Sequence, residues 1–419
     1  MSRPVFGAIA DDFTGAVELA AMLASGGARA ALLTDLSARP SDVDAVVIAV
    51  RSRVEPPEVA LTQFTQALDA LEAIGPRQLF FKYCATFDST DQGNIGNCAD
   101  LLAERAGAPS LLFCPAFPEV GVTVYTGHLF VRGTIVSDSP KRLDPLTPMT
   151  DPDLRRVLGR QTSRGVGLLP WTTIQSGADA VRSHVQARTA RGAPYLIADT
   201  LTEADLETLA QATWDWPAMT GGSSVAACYP QIWRARGLTA AEPYAPTAGR
   251  SGAGAVLAGS VADQTLEQIA VFEQTRPVLR LDLLAEGDLA GQALAWADSR
   301  LPGGPICITT ATPHARTQEI QDRLGVLGAA RKAEAILAQV AVGLAARGVE
   351  RLVVAGGETS GAVVQALGFP QLKVAPYQGP GMGLCSVEVP RPISLCLKSG
   401  KLGGPNAFHE ALTQMEQPH

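Results

Sequence analysis

Short, uninterrupted runs of apolar residues alternate with helix-like segments along most of the chain. Examples are "VFGAIA", "DAVVIAV" and "RQLFFKYC" in the first half, and "AVLAGS", "PICITTA" and "RLVVAGGE" in the second. Apolar runs in which polar residues do not alternate with apolar ones are typical of parallel strands that are buried on both faces. Together with the helices between them, they predict right-handed crossovers and open α/β sheets.

Two stretches interrupt this alternation. Within residues 117–165, "TVYTGHLFVRGTIVSD" predicts a β-hairpin, and residues 240–254, "AAEPYAPTAGRSGAG", predict a linker rich in Ala, Pro and Gly. A chain of 419 residues is also long for one hydrophobic core. We therefore predict an α/β protein with domains at residues 1–245 and 246–419. Each has a mainly parallel sheet flanked by helices, and the N-terminal domain carries a β-hairpin insertion.

Charge and residue usage narrow the possible partners. The formal net charge of -7 argues against nucleic acid or an anionic membrane as partner. The apolar runs are too short for a membrane span, and charge appears too early for a signal peptide. The seven scattered Cys and five His form no C-x-x-C or H-E-x-x-H motif, which disfavours a metal site of protein ligands. We expect a cytoplasmic protein with reduced thiols; a homo-oligomer is compatible with the sequence.

Two adjacent carboxylates, Asp11 and Asp12, follow the first predicted strand in "IADDFTGA". One can cap the next helix. The other is either solvated, or it accepts hydrogen bonds or a proton from a substrate hydroxyl.

Other polar residues follow strands of the same domain, where open α/β sheets bind ligands. Arg51 and Lys82 are predicted to clamp a carboxylate or phosphate, whereas Arg53 is predicted to lie on the surface. The turn at Asp88 and Ser89 is a further substrate candidate. In "MTGGSSVA", the turn at Gly222 and Ser223 is either an anion site at a helix start or an ordinary cap.

The second domain offers glycine-rich strand ends in place of acids. "VVAGGETSGAVVQALG" opens like a phosphate-binding loop but has Ala362 and Val363 where a P-loop has Lys and Ser or Thr. Its backbone can still cradle phosphate. The predicted nucleotide contacts are Ser260, Gly356, Gly357, Glu358, Thr359, Ser360, Gly381, Lys398, Gly400 and Gly403.

Taken together, "ADDFTGA", "FFKYCATFDSTDQGNIG", "GGETSGAVVQALG" and "LKSGKLGG" resemble the four-carbon acid sugar kinases of the DUF1537 type. The resemblance extends over nearly the whole chain. It implies phosphorylation of the terminal hydroxyl of a four-carbon acid by ATP and Mg²⁺, with the acid in the N-terminal domain and ATP in the C-terminal domain. The implied acid is 3-oxo-tetronate, with D-threonate and erythronate as alternatives.

The resemblance places Asp11, Asp12, Arg51, Lys82 and the Asp88 turn at the acid, and Ser260, residues 356–360 and residues 400–403 at the nucleotide. It also implies that one of the two aspartates is the base for the substrate hydroxyl, and Asp12 is preferred over Asp11 for this role. Lys401 and Ser224 depart from the usual family pattern. A NAD-dependent oxidoreductase would need G-x-G-x-x-G after the first strand, where this chain has Asp-Asp-Phe-Thr-Gly. A non-catalytic sensor would have a degraded second domain, yet its glycine-rich segments are intact.

Overall fold

The computed structural model describes residues 3–144, 146–239, 247–379, 381–388 and 391–418. The chain divides into two compact units, residues 1–244 and residues 245–419. The predicted boundary after residue 245 and the first part of the predicted linker, residues 240–246, lie outside the described residues.

The first unit is built on a parallel sheet. Its strands are β1 (Phe6–Ala10), β2 (Ala30–Leu33), β3 (Ala45–Ala49), β4 (Gln78–Lys82), β5 (Leu111–Cys114), β9 (Val166–Leu169), β10 (Tyr195–Ala198) and β11 (Ala218–Gly221). Their order across the described part of the sheet is β2-β3-β1-β4-β11-β5-β10-β9. The predicted parallel sheet is confirmed.

Helices connect these strands, and a small antiparallel sheet is inserted after β5. The helices are α1 (Phe13–Ser25), α2 (Pro57–Ile74), α3 (Ile95–Ala106), α4 (Leu154–Gly159), α5 (Trp171–Gln175), α6 (Ala178–Ala190), α7 (Glu203–Thr213), α8 (Ser223–Ala227) and α9 (Tyr229–Ala235). The insertion contains β6 (Val122–Tyr125), β7 (His128–Val131) and β8 (Thr134–Ile135). The predicted hairpin is β6–β7, to which β8 adds a third strand.

Strand β4 shows how the core fixes the position of a polar residue. Successive side chains of a strand point to opposite faces. Phe81 packs edge-on against Phe64 of α2, with ring centroids 4.9 Å apart, and Phe80 packs on the other side against Phe6 at 5.3 Å. Burial of each ring contributes about 2–3 kcal/mol. These contacts hold β4 in register with β1, so that Lys82 lies beside Ala10 and faces the same side as Phe80.

The second unit has a mixed sheet. Its strands are β12 (Ala253–Ala258), β13 (Val278–Arg280), β14 (Ile306–Thr309), β15 (Val349–Ala355), β16 (Gln371–Val374), β17 (Met382–Val387) and β18 (Ile393–Lys398). Its helices are α10 (Asp263–Glu273), α11 (Leu289–Arg300), α12 (His314–Leu324), α13 (Val326–Ala346), α14 (Gly357–Leu367) and α15 (Ala407–Gln414). The described strand order is β13-β14-β12-β15-β18-β17-β16.

The first five strands of that order are parallel, and β17 is antiparallel to both of its neighbours. The glycines of "YQGPGMGL" favour a loop, but the last residues of this stretch belong to β17. Within the described ranges, none of the helices combines the length and apolar character needed to cross a bilayer.

Candidate functional site

Asp11 and Asp12 lie side by side just beyond β1 but have different surroundings. Asp12 caps α1, because its Oδ1 accepts a hydrogen bond from the Gly15 N–H at 2.9 Å. The Asp12 side chain is 25% exposed, whereas that of Asp11 is only 3% exposed. Capping of α1 therefore gives Asp12 a structural role. Asp11 has no such role and, as a buried carboxylate, needs a cationic partner.

That partner is Arg53, which follows β3. Its Nε donates to Asp11 Oδ2 at 2.9 Å and its Nη2 donates to Asp11 Oδ1 at 2.7 Å. Nη2 also lies 2.9 Å from Asp12 Oδ1. The prediction that Arg53 is a surface residue is therefore wrong. Arg51 has the exposed side chain, and its part in a clamp with Lys82 stays a prediction.

Lys82 ends β4 beside these carboxylates. Its side chain is only 6% exposed, and its Nζ lies 4.0 Å from Asp12 Oδ1. Among the described residues, no acceptor lies within hydrogen-bond distance of this ammonium group. Gly15 leaves room for it, because a Cβ there would lie 2.1 Å from Lys82 Nζ and 2.4 Å from Asp12 Oδ1.

The electrostatic surroundings give the two carboxyl groups different pKa values. Burial raises the pKa of Asp11 despite the charge of Arg53. Burial opposes ionisation of Asp12 as well, but Arg53, Lys82 and the Gly15 N–H outweigh it, and the pKa of Asp12 is lowered. The pKa of Lys82 is raised, because Asp12, Glu18 and Asp11 outweigh the effect of its burial. At neutral pH the site thus presents an ionised Asp12 next to a charged amine.

Asp88 and Ser89 are buried in a neighbouring polar group. Asp88 accepts hydrogen bonds from the Thr86 hydroxyl at 2.5 Å and from Lys141 Nζ at 2.7 Å. Ser89 Oγ accepts a hydrogen bond from Gln161 Nε2 at 2.7 Å. Lys141 comes from the short 3-10 helix Pro140–Leu143 that follows the insertion, so the segment after β8 supplies a cation to this turn.

The thiol of Cys84 is influenced by this polar group and by the cations near the carboxylate pair. Burial and Asp88 raise the pKa of Cys84, while the nearby cations Arg53, Lys141 and Lys82 oppose that rise. Cys84 Sγ lies 3.1 Å from the hydroxyl oxygen of Thr86, which donates to Asp88, so this thiol is in contact with the Asp88 turn.

The turn before α8 contributes through its first serine. Ser223 Oγ donates to Glu18 Oε1 of α1 at 2.7 Å, and the charge of Glu18 acts on Lys82. Gly222 approaches the chain after β5 closely, since a Cβ there would lie 2.9 Å from the Pro115 carbonyl. Ser224, which departs from the pattern of the family that the sequence resembles, is buried. Its hydroxyl donates a hydrogen bond to the Ala116 carbonyl.

In the second unit, the exits of β12 and β18 are in close contact. A Cβ at Gly400 would lie only 2.0 Å from Ser260 Oγ. The Thr265 hydroxyl of α10 donates to the Gly400 carbonyl at 2.8 Å and so fixes this approach. Ser260 and Gly400 thus lie together, as expected for strand ends that share one ligand.

The exit of β15 lies next to β12. Gly356 has φ 126°, and a Cβ there would lie 2.9 Å from Thr359 Oγ1. Gly357 begins α14, with Thr359 and Ser360 buried and Glu358 exposed in the first turn. Strand β15 therefore ends before Gly356, and the helix begins at Gly357. Its first amide groups lack partners within the helix and can bind an anion.

Lys398 ends β18 and is fully buried. Its Nζ donates to the Ser399 carbonyl at 2.6 Å, and burial lowers its pKa to about 8. Gly381 lies at the same strand exit, because the Ser399 N–H donates to its carbonyl at 2.7 Å. Gly403, with φ 88°, approaches Lys398, since a Cβ there would lie 3.3 Å from Lys398 Cε.

Several residues at these sites were not identified from the sequence: Arg53, Glu18, Lys141, Thr265 and Gln268. Gln268 Nε2 donates to the carbonyls of residues 402, 403 and 404 at 3.0–3.2 Å and shapes the glycine-rich exit of β18. The signal that could have identified Arg53 is the buried acid itself, which needs a cation from a neighbouring strand end.

Comparisons with known proteins give the same division of the chain. The family described as sugar-binding N-terminal domain matches residues 6–229, and that described as nucleotide-binding C-terminal domain matches residues 255–408. The chain is 44% identical over 421 residues to the 3-oxo-tetronate kinase of Burkholderia multivorans, covering 99% of this chain and 98% of that protein. It is also 44% identical over 423 residues to the 3-oxo-tetronate kinase of Cupriavidus necator, with the same coverage. A solved structure from Salmonella typhimurium LT2 matches with a TM-score of 0.85 and 33% identity, covering 97% of this chain and 98% of that chain.

Proposed function

The chain belongs to the four-carbon acid sugar kinase family of the DUF1537 type, and on that premise we propose that it transfers the γ-phosphoryl group of ATP to the 4-hydroxyl of 3-oxo-tetronate. Full-length similarity to curated 3-oxo-tetronate kinases supports this substrate over D-threonate and erythronate, and it does not favour a NAD-dependent oxidoreductase.

The observation that carries the chemistry is the asymmetric aspartate pair. Asp12 is partly exposed and has a lowered pKa, so it is the ionised carboxylate that a substrate hydroxyl can reach. Asp12 accepts the proton of the 4-hydroxyl as that oxygen attacks the γ-phosphorus. The new P–O bond forms as the bond to the ADP oxygen breaks, and ADP leaves with the electron pair.

Lys82 supplies positive charge beside that base. Its nearest ion-pair partner, Asp12, is 4.0 Å from Lys82 Nζ, which is longer than a hydrogen bond. The N–H groups of Lys82 can therefore donate hydrogen bonds to an oxygen of the acid. Arg51, Asp88, Ser89, Gly222 and Ser223 complete the proposed acid-binding set.

The second unit fits a nucleotide phosphate chain. The close approach of Gly400 to Ser260 leaves no room for a Cβ, and the first turn of α14 presents backbone N–H groups at the exit of β15. The proposed contacts are Ser260, Gly356, Gly357, Glu358, Thr359, Ser360, Gly381, Lys398, Gly400 and Gly403. Lys398 adds the cation that a phosphate requires.

Mg²⁺ is part of the proposal because phosphoryl transfer from ATP needs it to offset phosphate charge. Among the described residues, no group of three or more His, Cys, Asp or Glu side chains is placed to hold a metal ion. Mg²⁺ commonly keeps waters and binds through substrate phosphates and one or two carboxylates, so such a group is not required. The cytoplasmic location and a homo-oligomeric state stay predictions.

Gly15→Ala tests whether Lys82 and Asp12 act from their present positions. The added Cβ forces the amine or the carboxylate to move, and we expect kcat to fall on the order of 10²-fold. Gly159→Ala at the end of α4 is the matched control, because among the described residues no atom beyond its chain neighbours and its own helix backbone lies within 4 Å of its Cβ position. Steady-state kinetics on both variants gives the comparison, and an unchanged kcat for Gly15→Ala contradicts the proposed arrangement.

The function is tested by following ADP release with ATP, Mg²⁺ and each of the three acids, with ³¹P NMR to locate the phosphate on the product. We expect the highest kcat/KM for 3-oxo-tetronate and phosphorylation at C4. A preference for D-threonate or erythronate corrects the substrate but retains the kinase. Absence of ADP release with all three, together with absence of ATP binding by calorimetry, overturns the proposal.

A further inference from the structure

We propose that Arg53 is a positioning residue that holds one oxygen of Asp12 and leaves the other directed to the substrate hydroxyl. This inference rests on the proposed function, since it concerns the base of that reaction. It assigns separate roles to the two adjacent aspartates, which the sequence leaves open.

The contacts of Asp12 are concentrated on one oxygen. Oδ1 accepts a hydrogen bond from the Gly15 N–H at 2.9 Å and forms an ion pair with Arg53 Nη2 at 2.9 Å, and Lys82 Nζ lies 4.0 Å away. Within the described part of the chain, no protein donor contacts Oδ2. The carboxylate cannot rotate without losing contacts at Oδ1, so Oδ2 is presented as the free proton acceptor.

Asp11 serves as the anchor for the arginine. Both of its oxygens accept hydrogen bonds from the planar guanidinium of Arg53, at 2.9 and 2.7 Å. The carboxylate is also only 3% exposed. Protonation of Asp11 would neutralise the carboxylate that pairs with the Arg53 guanidinium and so weaken this buried ion pair, which makes the more exposed Asp12 the better base.

The backbone on either side of Arg53 is held in place. Asn94 Nδ2 donates to the carbonyls of Ser52 at 2.6 Å and Glu55 at 2.8 Å. The Val50 N–H donates to the Ala10 carbonyl at 2.9 Å and ties the exit of β3 to that of β1. A side chain with such support can position a base within the tolerance that catalysis demands.

Loss of Arg53 changes the charge around Asp12 in a defined direction. The charged and titratable groups near this carboxylate are Asp11, Glu18, Arg53, Lys82 and Cys84. Removing the arginine removes a cation and leaves Asp11 without its counter-ion, so the pKa of Asp12 rises. The acid limb of the pH profile of kcat/KM should then move to higher pH.

The test compares Arg53→Met and Arg53→Lys with Arg39→Met. Arg39 is exposed and donates hydrogen bonds to the nearby carbonyls of Leu36 and Ala38, so its replacement controls for loss of a surface arginine. Between about pH 4 and 9, we expect Arg53→Met to lower kcat about 10²-fold and to shift the acid limb upward, with KM for ATP unchanged. Arg53→Lys keeps the positive charge but loses the planar guanidinium that donates two hydrogen bonds to Asp11. It should therefore retain most of the wild-type pH profile with a reduced kcat.

A readout without turnover accompanies these rates. The pH titration of the Asp12 carboxyl carbon by ¹³C NMR in the ligand-free protein should show the same upward shift in Arg53→Met. The double variant Asp11→Asn/Arg53→Met removes the unpaired buried carboxylate, and we expect it to recover thermal stability while kcat stays low.

Recovery of wild-type kcat and pH profile in the double variant would mean that Arg53 merely neutralises Asp11, and would overturn the inference. A wild-type pH profile and kcat in Arg53→Met would do the same. If the wild-type protein phosphorylates none of the acids, the proposed function fails. The carboxyl titration then still decides whether Arg53 controls Asp12.

Discussion

Asp12→Asn is expected to lower kcat for phosphorylation of 3-oxo-tetronate roughly 10²- to 10⁴-fold, the range typical for loss of a general base. Asparagine still caps α1, because its side-chain oxygen can accept the Gly15 N–H. It cannot take a proton from the substrate. The fold should therefore persist, and the dissociation constant for ATP, measured by calorimetry, should stay within about twofold.

Asp35→Asn is the matched control. Asp35 is exposed, and its Oδ1 accepts hydrogen bonds from the N–H and hydroxyl of Ser37, which asparagine can also accept. This variant should keep wild-type kcat. If the kcat of Asp12→Asn is close to that of the control, Asp12 is not the base, and Asp11 becomes the candidate for that role.

Strand positions and strand ends could be predicted because their physical signals are local. Helix α2 begins at Pro57 and ends before Gly75, as the two residue types predict. Open α/β sheets bind ligands at the carboxyl ends of their parallel strands, and that rule predicts Asp12, Lys82 and Ser260 as candidate site residues.

The contacts of long side chains and the strand β17 were harder to predict. Arg53 reaches Asp11 across 42 positions in sequence, and Lys141 reaches Asp88 across 53. The direction of such a side chain depends on the packing of its loop, which leaves no periodic pattern. Strand β17 was missed because Gly381 and Gly383 suggested a loop, whereas its pairing with β16 and β18 supplies the backbone hydrogen bonds that make it a strand.

Lys398→Met should have opposite effects on stability and on nucleotide binding. In the ligand-free protein, burial lowers the pKa of Lys398 from 10.5 to about 8, so the charged amine costs on the order of 3 kcal/mol at neutral pH. Methionine fills a similar volume without charge. We expect the variant to unfold at a higher temperature than the wild type by calorimetry, and to bind ATP roughly 10- to 100-fold more weakly, because a charged hydrogen bond to phosphate is lost.

The pH dependence separates this explanation from ordinary repacking. Between about pH 8 and 10.5 the folded protein has released the Lys398 proton while the unfolded chain still holds it, so wild-type stability gains with rising pH from this group. Lys398→Met lacks the group, and its stability advantage should shrink from pH 7 to about pH 10. Lys332→Met on α13 is the control and should show neither effect. An advantage that stays constant with pH would show that the amine is not buried in its charged form, and an unchanged ATP affinity would exclude Lys398 from the phosphate site.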